Sequence, residues 1–505
     1  MELPQDIKSC HALILLLQEQ NELLRQIVEA QSKRIAELEQ KNSELEQKNS
    51  ELEARVKELE IRLKQNSRNS HRPPSSDVLD KKKKEEKSKS KGKQGRQKGH
   101  SGYQQDLSNQ LDDVQILVPE VCTCGQSLAE EILVLKECRQ VWDIPPPKLW
   151  ITEYQQMSCT CPGCGLDQAG QFPDEVKARI QYGSGVKALV SLLSVNYRLP
   201  IKGIKRLFGD LYGQAPNEST ILTMLHQLSA CLAPIEGCIK SHLLAAPVAH
   251  VDETGLRCEK TNHWMHVFST TLFTYLFVHP KRGKEAMESE QSLLGAFMGY
   301  LVHDCWKSYF AFTQCLHALC GAHLMRELQA LIEQNSRWAS KMQDLLRYAY
   351  DLSERGQATV PSLMMQDIQN QYQQICDQAH LEEPPPVPSA RGKPKQSKGR
   401  NLMDRLKTFQ DAVLAFAQHP LVPFTNNQAE RDIRHTKIKM KISGNINTQQ
   451  SAQDYATIAA FISTLRKHQL AFPNLKLSIF EQLHLVVQGK FNLDILGGGV
   501  GGNAA

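Results

Sequence analysis

PVAHVDETGLRC (residues 247–258), NHWMHVFSTTLF (262–273) and YLFVHPKRG (275–283) follow one another with only short links between them. Val, Phe, Tyr and Thr dominate all three, and such runs between turn residues read as β-strands. A helix candidate, KEAMESEQSLLGAF, comes next, then a fourth strand in GYLVHDCWKSYF. Three strands in a meander, followed by helix and strand, predict a mixed sheet flanked by helices. Asp252 falls within the first strand and Asp304 at the end of the fourth.

Taken singly, each aspartate reads as a solvated surface acid. Asp252 is the sharper of the two, because an ionised group inside a strand-like run needs a counter-ion. Far downstream, TNNQAERDIRHTKIKMK (425–441) places Glu430 near the start of a strongly basic helix candidate. Two aspartates on neighbouring strands plus a helical glutamate suit a two-metal phosphoryl-transfer site. Mg²⁺ prefers carboxylate oxygens, and two such ions about 4 Å apart activate the attacking oxygen and stabilise the leaving one.

The chain has 505 residues, 41% of them hydrophobic, and a net charge of +5. That length predicts several domains. Residues 81–100 hold ten Lys/Arg against two Glu, more than the basic excess of the whole chain. Such a run reads as an arm whose commonest partner is nucleic acid, with a solubilising linker as the alternative. ALILLL (12–17) is too short to span a bilayer, so neither signal peptide nor membrane span is expected. Fourteen cysteines point to thiols and a metal site, not to a disulfide framework.

Leucine or its substitute recurs at heptad spacing at Leu17, Leu24, Gln31, Leu38, Leu45, Leu52 and Leu59, and Ile14, Val28, Ile35 and Val56 lie three residues before members of the same series. This a/d seam predicts a coiled coil, and Asn21, Asn42 and Asn49 at a positions favour a parallel homodimer. Beyond the basic arm, CTCG (Cys122, Cys124) and CPGCG (Cys161, Cys164) flank a strand-like stretch containing VWDIPPP and LWITEYQQ. Two tight thiolate turns, each trailed by glycine, can close one structural Zn²⁺ site, with Cys159 as a spare ligand and buried cysteines as the alternative. LPIKGIKRLFGDLYGQAPNESTILTMLHQL (199–228) reads as two helices about a turn, with Ser219 as N-cap of the second. The pattern resembles a helix-turn-helix, and Lys202, Lys205 and Arg206 lend it a DNA-binding character.

HVDETGL, HWMHVFST, YLFVHPKRGKEAM, LVHDCWKSYF, HALCGAHLMRELQAL, HPLVPFTNNQAERDIR and STLRKHQL together resemble the DDE transposases of the insertion sequence sixty-six family. The likeness extends upstream through the zipper, the NSRNSHRPPSSD box, the lysine/glycine arm and the cysteine turns. It implies a ribonuclease-H-like catalytic domain with Asp252, Asp304 and Glu430 as the triad that binds two Mg²⁺ or Mn²⁺. It also implies a helical insertion between Asp304 and Glu430, and small companion proteins of the element for some members.

The expected layout is a multidomain α/β chain: coiled coil 12–65, basic disordered arm 66–105, zinc-ribbon-like domain 106–175, and helix-turn-helix-like region 180–245. The ribonuclease-H-like mixed-sheet core occupies 246–320 and 421–490. It is interrupted by a helical insertion with a Pro/Lys linker (321–420) and ends in a flexible tail (491–505). The expected activity is metal-dependent cleavage at element ends and transfer of the freed 3′-OH into target DNA, in the bacterial cytoplasm at the nucleoid. The alternatives are a non-catalytic, decayed or domesticated zipper-containing DNA-binding regulator, and a nuclease that cuts without joining. Arg431, Arg434 and Lys437 are candidates for gripping phosphates, and Asn427 for positioning. His323 and Arg326, one turn apart, could face the scissile phosphate or simply pack under the sheet. Cys315, His317 and Cys320 could form a second metal site, but on an apolar run they read as core residues. Trp306 and Tyr309 read as packing residues, with base stacking as the alternative. Asp432, two residues from Glu430, points off its face and reads as a surface acid.

Overall fold

The computed structural model describes residues 6–63, 65–66, 69–70, 106–120, 122–129, 132–353, 358–386, 396–475 and 477–497. Most of the basic arm, the middle of the Pro/Lys linker and the end of the tail therefore lie outside the described residues. The chain divides into two compact units, Met1–Lys82 with Met325–Gln343, and Lys83–Leu324 with Asp344–Ala505. The division cuts the segment 321–420, expected from the resemblance as a helical insertion.

In the first unit, α1 (Ile7–Leu63) is one uninterrupted helix of 57 residues, about 85 Å long at the α-helical rise. Its a and d side chains, Leu38 and Leu45 among them, are half exposed. Asn69, in the NSRNSHRPPSSD box, donates a hydrogen bond to Glu333 of the same unit.

In the second unit, β1 (Ser158–Thr160) and β2 (Asp167–Ala169) form a short antiparallel hairpin. The strand-like stretch containing VWDIPPP (141–147) and LWITEYQQ (149–156) forms no strand, and those residues are almost all exposed. Pro145, Pro146 and Pro147 remove three consecutive backbone donors there, which a ladder cannot tolerate.

Helices α2 (Ser184–Ser191), α3 (Ile201–Tyr212), α4 (Glu218–Cys231) and α5 (Ala233–Leu244) follow. Ile204 and Phe208 of α3 pack with Val190, Ile221 and Met224 in a small core of their own. The N-cap of α4 is Asn217, not Ser219.

The central sheet comprises β3 (Val248–Cys258), β4 (Thr261–Ser269), β5 (Thr274–His279), β6 (Tyr300–His303) and β7 (Leu316–Leu319). Its order is β5-β4-β3-β6-β7. The first three strands pair antiparallel, while β6 and β7 run parallel to β3. β4 stops at Ser269 because the Thr270 hydroxyl accepts from the amides of Leu272 and Phe273 and turns the chain. The helix expected over 284–297 is reduced to α6 (Lys284–Met287) and a short turn at Leu294–Ala296.

Helices α7 (Gly321–Ile332), α8 (Arg337–Leu352), α9 (Ser362–Glu382), α10 (Lys398–Thr408) and α11 (Gln410–Gln418) separate β7 from α12 (Asn427–Ser443). α13 (Gln449–Ala471), α14 (Ile479–Val487) and α15 (Asp494–Gly497) complete the chain. α12 packs on β3 and β4, α13 on β5, and α11 on β7. The resulting core joins Val251, Val267 and Leu276 of the sheet to Ile433 of α12 and Phe461 of α13. The unit is a mixed α/β structure, and its sheet places the residues described next.

Candidate functional site

β3 and β6 are held in parallel register by the pairs Val248–Tyr300, Ala249–Leu301 and His250–Val302. Carried two residues further, this register sets Asp304, which follows β6, opposite Asp252 on β3. The Asp252 carboxylate accepts the Glu253 amide at 2.8 Å. Burial, then the charges of Glu253, Asp304 and Glu430, push its pKa up to about 7. An acid raised by burial and by neighbouring acids is one that a bound cation would relieve.

Glu430 arrives from the opposite side, in the first turn of α12, where the helix dipole favours a carboxylate. The helix starts here because Asn426, only 1% exposed, is tied down on three sides. Its Nδ2 donates to the Val251 carbonyl at 2.8 Å, its Oδ1 meets His250 Nδ1 at 2.9 Å, and its amide donates to Cys320 Sγ at 3.2 Å. Its carbonyl accepts the Glu430 amide at 3.3 Å. Glu430 Oε1 is buried without a hydrogen-bond partner, and His323 Nε2 lies 3.9 Å away. An orphaned carboxylate oxygen is a donor that a bound cation could take up.

Cys320 and His323 belong to CGAH at the start of α7. Gly321 is required there, because a Cβ would fall 2.3 Å from the Phe424 ring. Cys320 Sγ, a ring nitrogen of His323 and a carboxylate oxygen of Glu430 all lie within 4.8 Å of one another. Cys315 and His317 take no part in this set. Cys315 is buried, and His317 bonds to His303 at 3.1 Å and to the Phe312 carbonyl at 3.2 Å. Arg326, further along the same helix, falls in the other compact unit.

Beside Asp252, Glu253 is buried and receives Arg282, whose Nη2 is 2.6 Å from Glu253 Oε1. The Arg282 guanidinium stacks over Trp264 and, at 4.2 Å, over Trp306. Tyr309 donates to the other Glu253 oxygen at 2.5 Å. Trp306 and Tyr309 are packing residues, as expected. Sequence reasoning misses Arg282 and Glu253, for which the only signal is an acid next to Asp252 within a strand.

A family model, Transposase IS66 family, matches residues 179–454, more than half of the chain. The chain belongs to the IS66 family of transposases. A family of unknown function (DUF6444) matches residues 19–106 of the same transposase. No curated protein gives a significant match. Asp252, Asp304 and Glu430 all lie within the transposase match.

The basic candidates of this transposase are on the surface. Lys202, Lys205 and Arg206 are exposed on α3, and Arg431, Arg434 and Lys437 are exposed on α12. Asn427 is also exposed, whereas its neighbour Asn426 is buried.

Asp432 is a correction. It is buried, and its carboxylate takes Lys467 Nζ at 2.7 Å and Gln428 Nε2 at 2.9 Å. Lys467 also donates to the carbonyls of Thr270 and Phe273. Asp432 therefore belongs to a buried polar lock between α12, α13 and the sheet.

Each cysteine turn brings its own pair of thiols together. Cys122 and Cys161 are both held below the usual thiol range by hydrogen bonds from their partners, Cys124 and Cys164. Gly125 (φ +91°) and Gly165 (φ +72°) take the left-handed conformation that closes each turn. The two pairs are not gathered into one ligand set. Among the described residues, no helix is long and apolar enough to cross a membrane.

Proposed function

We propose that this transposase is a ribonuclease-H-like DDE enzyme that cuts DNA at element ends and joins the freed 3′-OH to target DNA. Asp252, Asp304 and Glu430 would hold two Mg²⁺ or Mn²⁺ ions. The observation that carries this reading is the parallel register of β3 with β6, in which Asp304 follows the strand two residues beyond the His250–Val302 pair and so falls level with Asp252. The charges of Asp304 and Glu430, added to burial, raise the Asp252 pKa and support it. The sheet order supports the fold assignment, with three antiparallel strands continued by two parallel ones.

When bound, the ions stabilise charge on the attacking and leaving oxygens of a phosphodiester. The chain's own residues do the rest. Asn426 holds Glu430 against β3, so that its carboxylate is delivered without rearrangement. The Arg282–Glu253–Tyr309 cluster stiffens β3 beside Asp252. Arg431, Arg434 and Lys437 follow Glu430 along α12 and grip the backbone of the same DNA, with Lys202, Lys205 and Arg206 on α3 adding non-specific contacts. The exposed heptad seam of α1 supports a homodimer, and one structural Zn²⁺ in an N-terminal module that reads element ends would require the thiol pairs Cys122/Cys124 and Cys161/Cys164 to come together.

A labelled duplex carrying an element end, a target plasmid and Mg²⁺ or Mn²⁺ test the proposal together. The expected result is cleavage and joining by the wild type and neither by Asp252→Ala. Equal cleavage by both proteins would overturn the assignment. Binding without any cleavage would favour a regulator, and cleavage without joining a nuclease.

A further inference from the structure

The ligand atoms around Glu430 are not all hard. Cys320 follows β7 directly, and its carbonyl accepts the amides of His323 and Leu324 as α7 begins. This turn swings His323 back so that its Nε2 comes to 3.9 Å from Glu430 Oε1. With the Cys320 sulfur, the three groups lie within 4.8 Å of one another, and no other trio of His, Cys, Asp or Glu ligands among the described residues does so. One sulfur, one imidazole and one carboxylate are the donors of a zinc site that keeps a fourth position for solvent. Zinc–nitrogen and zinc–sulfur bonds of about 2.0 and 2.3 Å would need the side chains to close by only about an ångström. The Asn426 amide already points at the sulfur from 3.2 Å, an outer hydrogen bond of the kind that orients metal ligands.

We propose that Cys320, His323 and Glu430 form a zinc site that competes with the catalytic carboxylates for Glu430, so that Zn²⁺ holds the transposase inactive. The inhibitory role rests on the reading of Glu430 as a catalytic ligand. Thiolate and imidazole favour Zn²⁺ strongly over Mg²⁺, and one glutamate oxygen cannot serve both sites at full strength. On binding, the Cys320 thiol becomes a thiolate and its proton leaves to solvent, while His323 binds as the neutral imidazole.

Cobalt titration of the full-length chain tests the site directly, because thiolate–cobalt absorption counts sulfur ligation. Wild type should bind one ion more than Cys320→Ser, and His323→Gln should show the same loss. The two variants guard against misfolding of either one, with circular dichroism as the check. In Mg²⁺-supported cleavage, the Zn²⁺ concentration giving half-inhibition should rise at least about tenfold in Cys320→Ser, each protein being scaled to its own zinc-free rate. Equal cobalt counts in all three proteins would overturn the site. Unchanged zinc sensitivity after loss of the ion would overturn the inhibition. If no Mg²⁺-dependent cleavage occurs, the DDE reading falls and the inhibitory role with it, while the cobalt count still decides the site.

Discussion

Asn426 Oδ1 and His250 Nδ1 lie 2.9 Å apart, and this contact anchors the helix bearing Glu430 to the strand bearing Asp252. Burial holds His250 at a pKa of about 4, so its ring is neutral at physiological pH. The amide oxygen can only accept, which puts the imidazole proton on Nδ1. Asn426→Ala should destabilise the protein by about 2 kcal/mol or more, because buried partners on β3 lose their bonds. Cleavage should fall about tenfold or more while end binding persists. Denaturant titration and a gel-shift assay measure the two effects separately.

Glu430→Gln keeps the shape of the side chain and removes its charge. DNA binding should persist, because the basic side chains of α12 are untouched. Cleavage should fall at least about a hundredfold, the usual scale for losing one electrostatic support of a transition state. Comparable cleavage by the variant would remove Glu430 from the triad.

Asp252 gives the metal-free protein a distinct pH dependence. With its pKa raised to about 7, the folded chain keeps a proton that the unfolded chain releases above about pH 4. Stability should therefore fall as pH rises from about 4 to 7 and level off above that. The raised pKa corresponds to at most about 4 kcal/mol at neutral pH. Asp252→Asn should recover much of this, melting higher than wild type at pH 8 in EDTA and no higher at pH 4. Mg²⁺ should stabilise wild type at pH 8 and leave the variant nearly unchanged.

Asp432→Ala should be among the more damaging substitutions on α12, although it touches no substrate. It strands Lys467, whose own pKa burial has already lowered to about 8, and breaking a buried pair costs about 3–5 kcal/mol. The double variant Asp432→Ala, Lys467→Met should regain part of that loss. Thermal unfolding of the two single variants and the double closes the cycle.

Phosphate binding is read from salt. Replacing Arg431, Arg434 and Lys437 with alanine should flatten the slope of log affinity against log salt by about 0.9 for each phosphate no longer neutralised. The same triple replacement at Lys202, Lys205 and Arg206 should act alike if α3 tracks the backbone. An unchanged slope would show that the face concerned does not touch DNA.

The central strands are legible in the sequence because β-branched and aromatic runs stop at clear turn residues. The fourth is legible only as far as His303, since Asp304 begins an irregular turn. VWDIPPP misleads because its apolar composition suggests a strand while its prolines forbid the ladder. Asp432 misleads for a different reason. Helical spacing tells which way it points relative to Glu430, but not that Lys467 waits there from a helix 35 residues downstream. Asn426 and Asn427 are indistinguishable as letters, and only the packing of α12 on β3 makes the first a buried staple and the second a surface residue.

The parallel register of β3 and β6 has a consequence for how this chain can vary in length. The link between β5 and β6, with its short helix and turn, could gain or lose residues without moving Asp304 away from Asp252. A single residue added within β6 could not, because a one-step slip turns every following side chain to the opposite face of the sheet. Length polymorphism among working copies should therefore collect in the link, and an insertion inside YLVH should mark a copy that can no longer move.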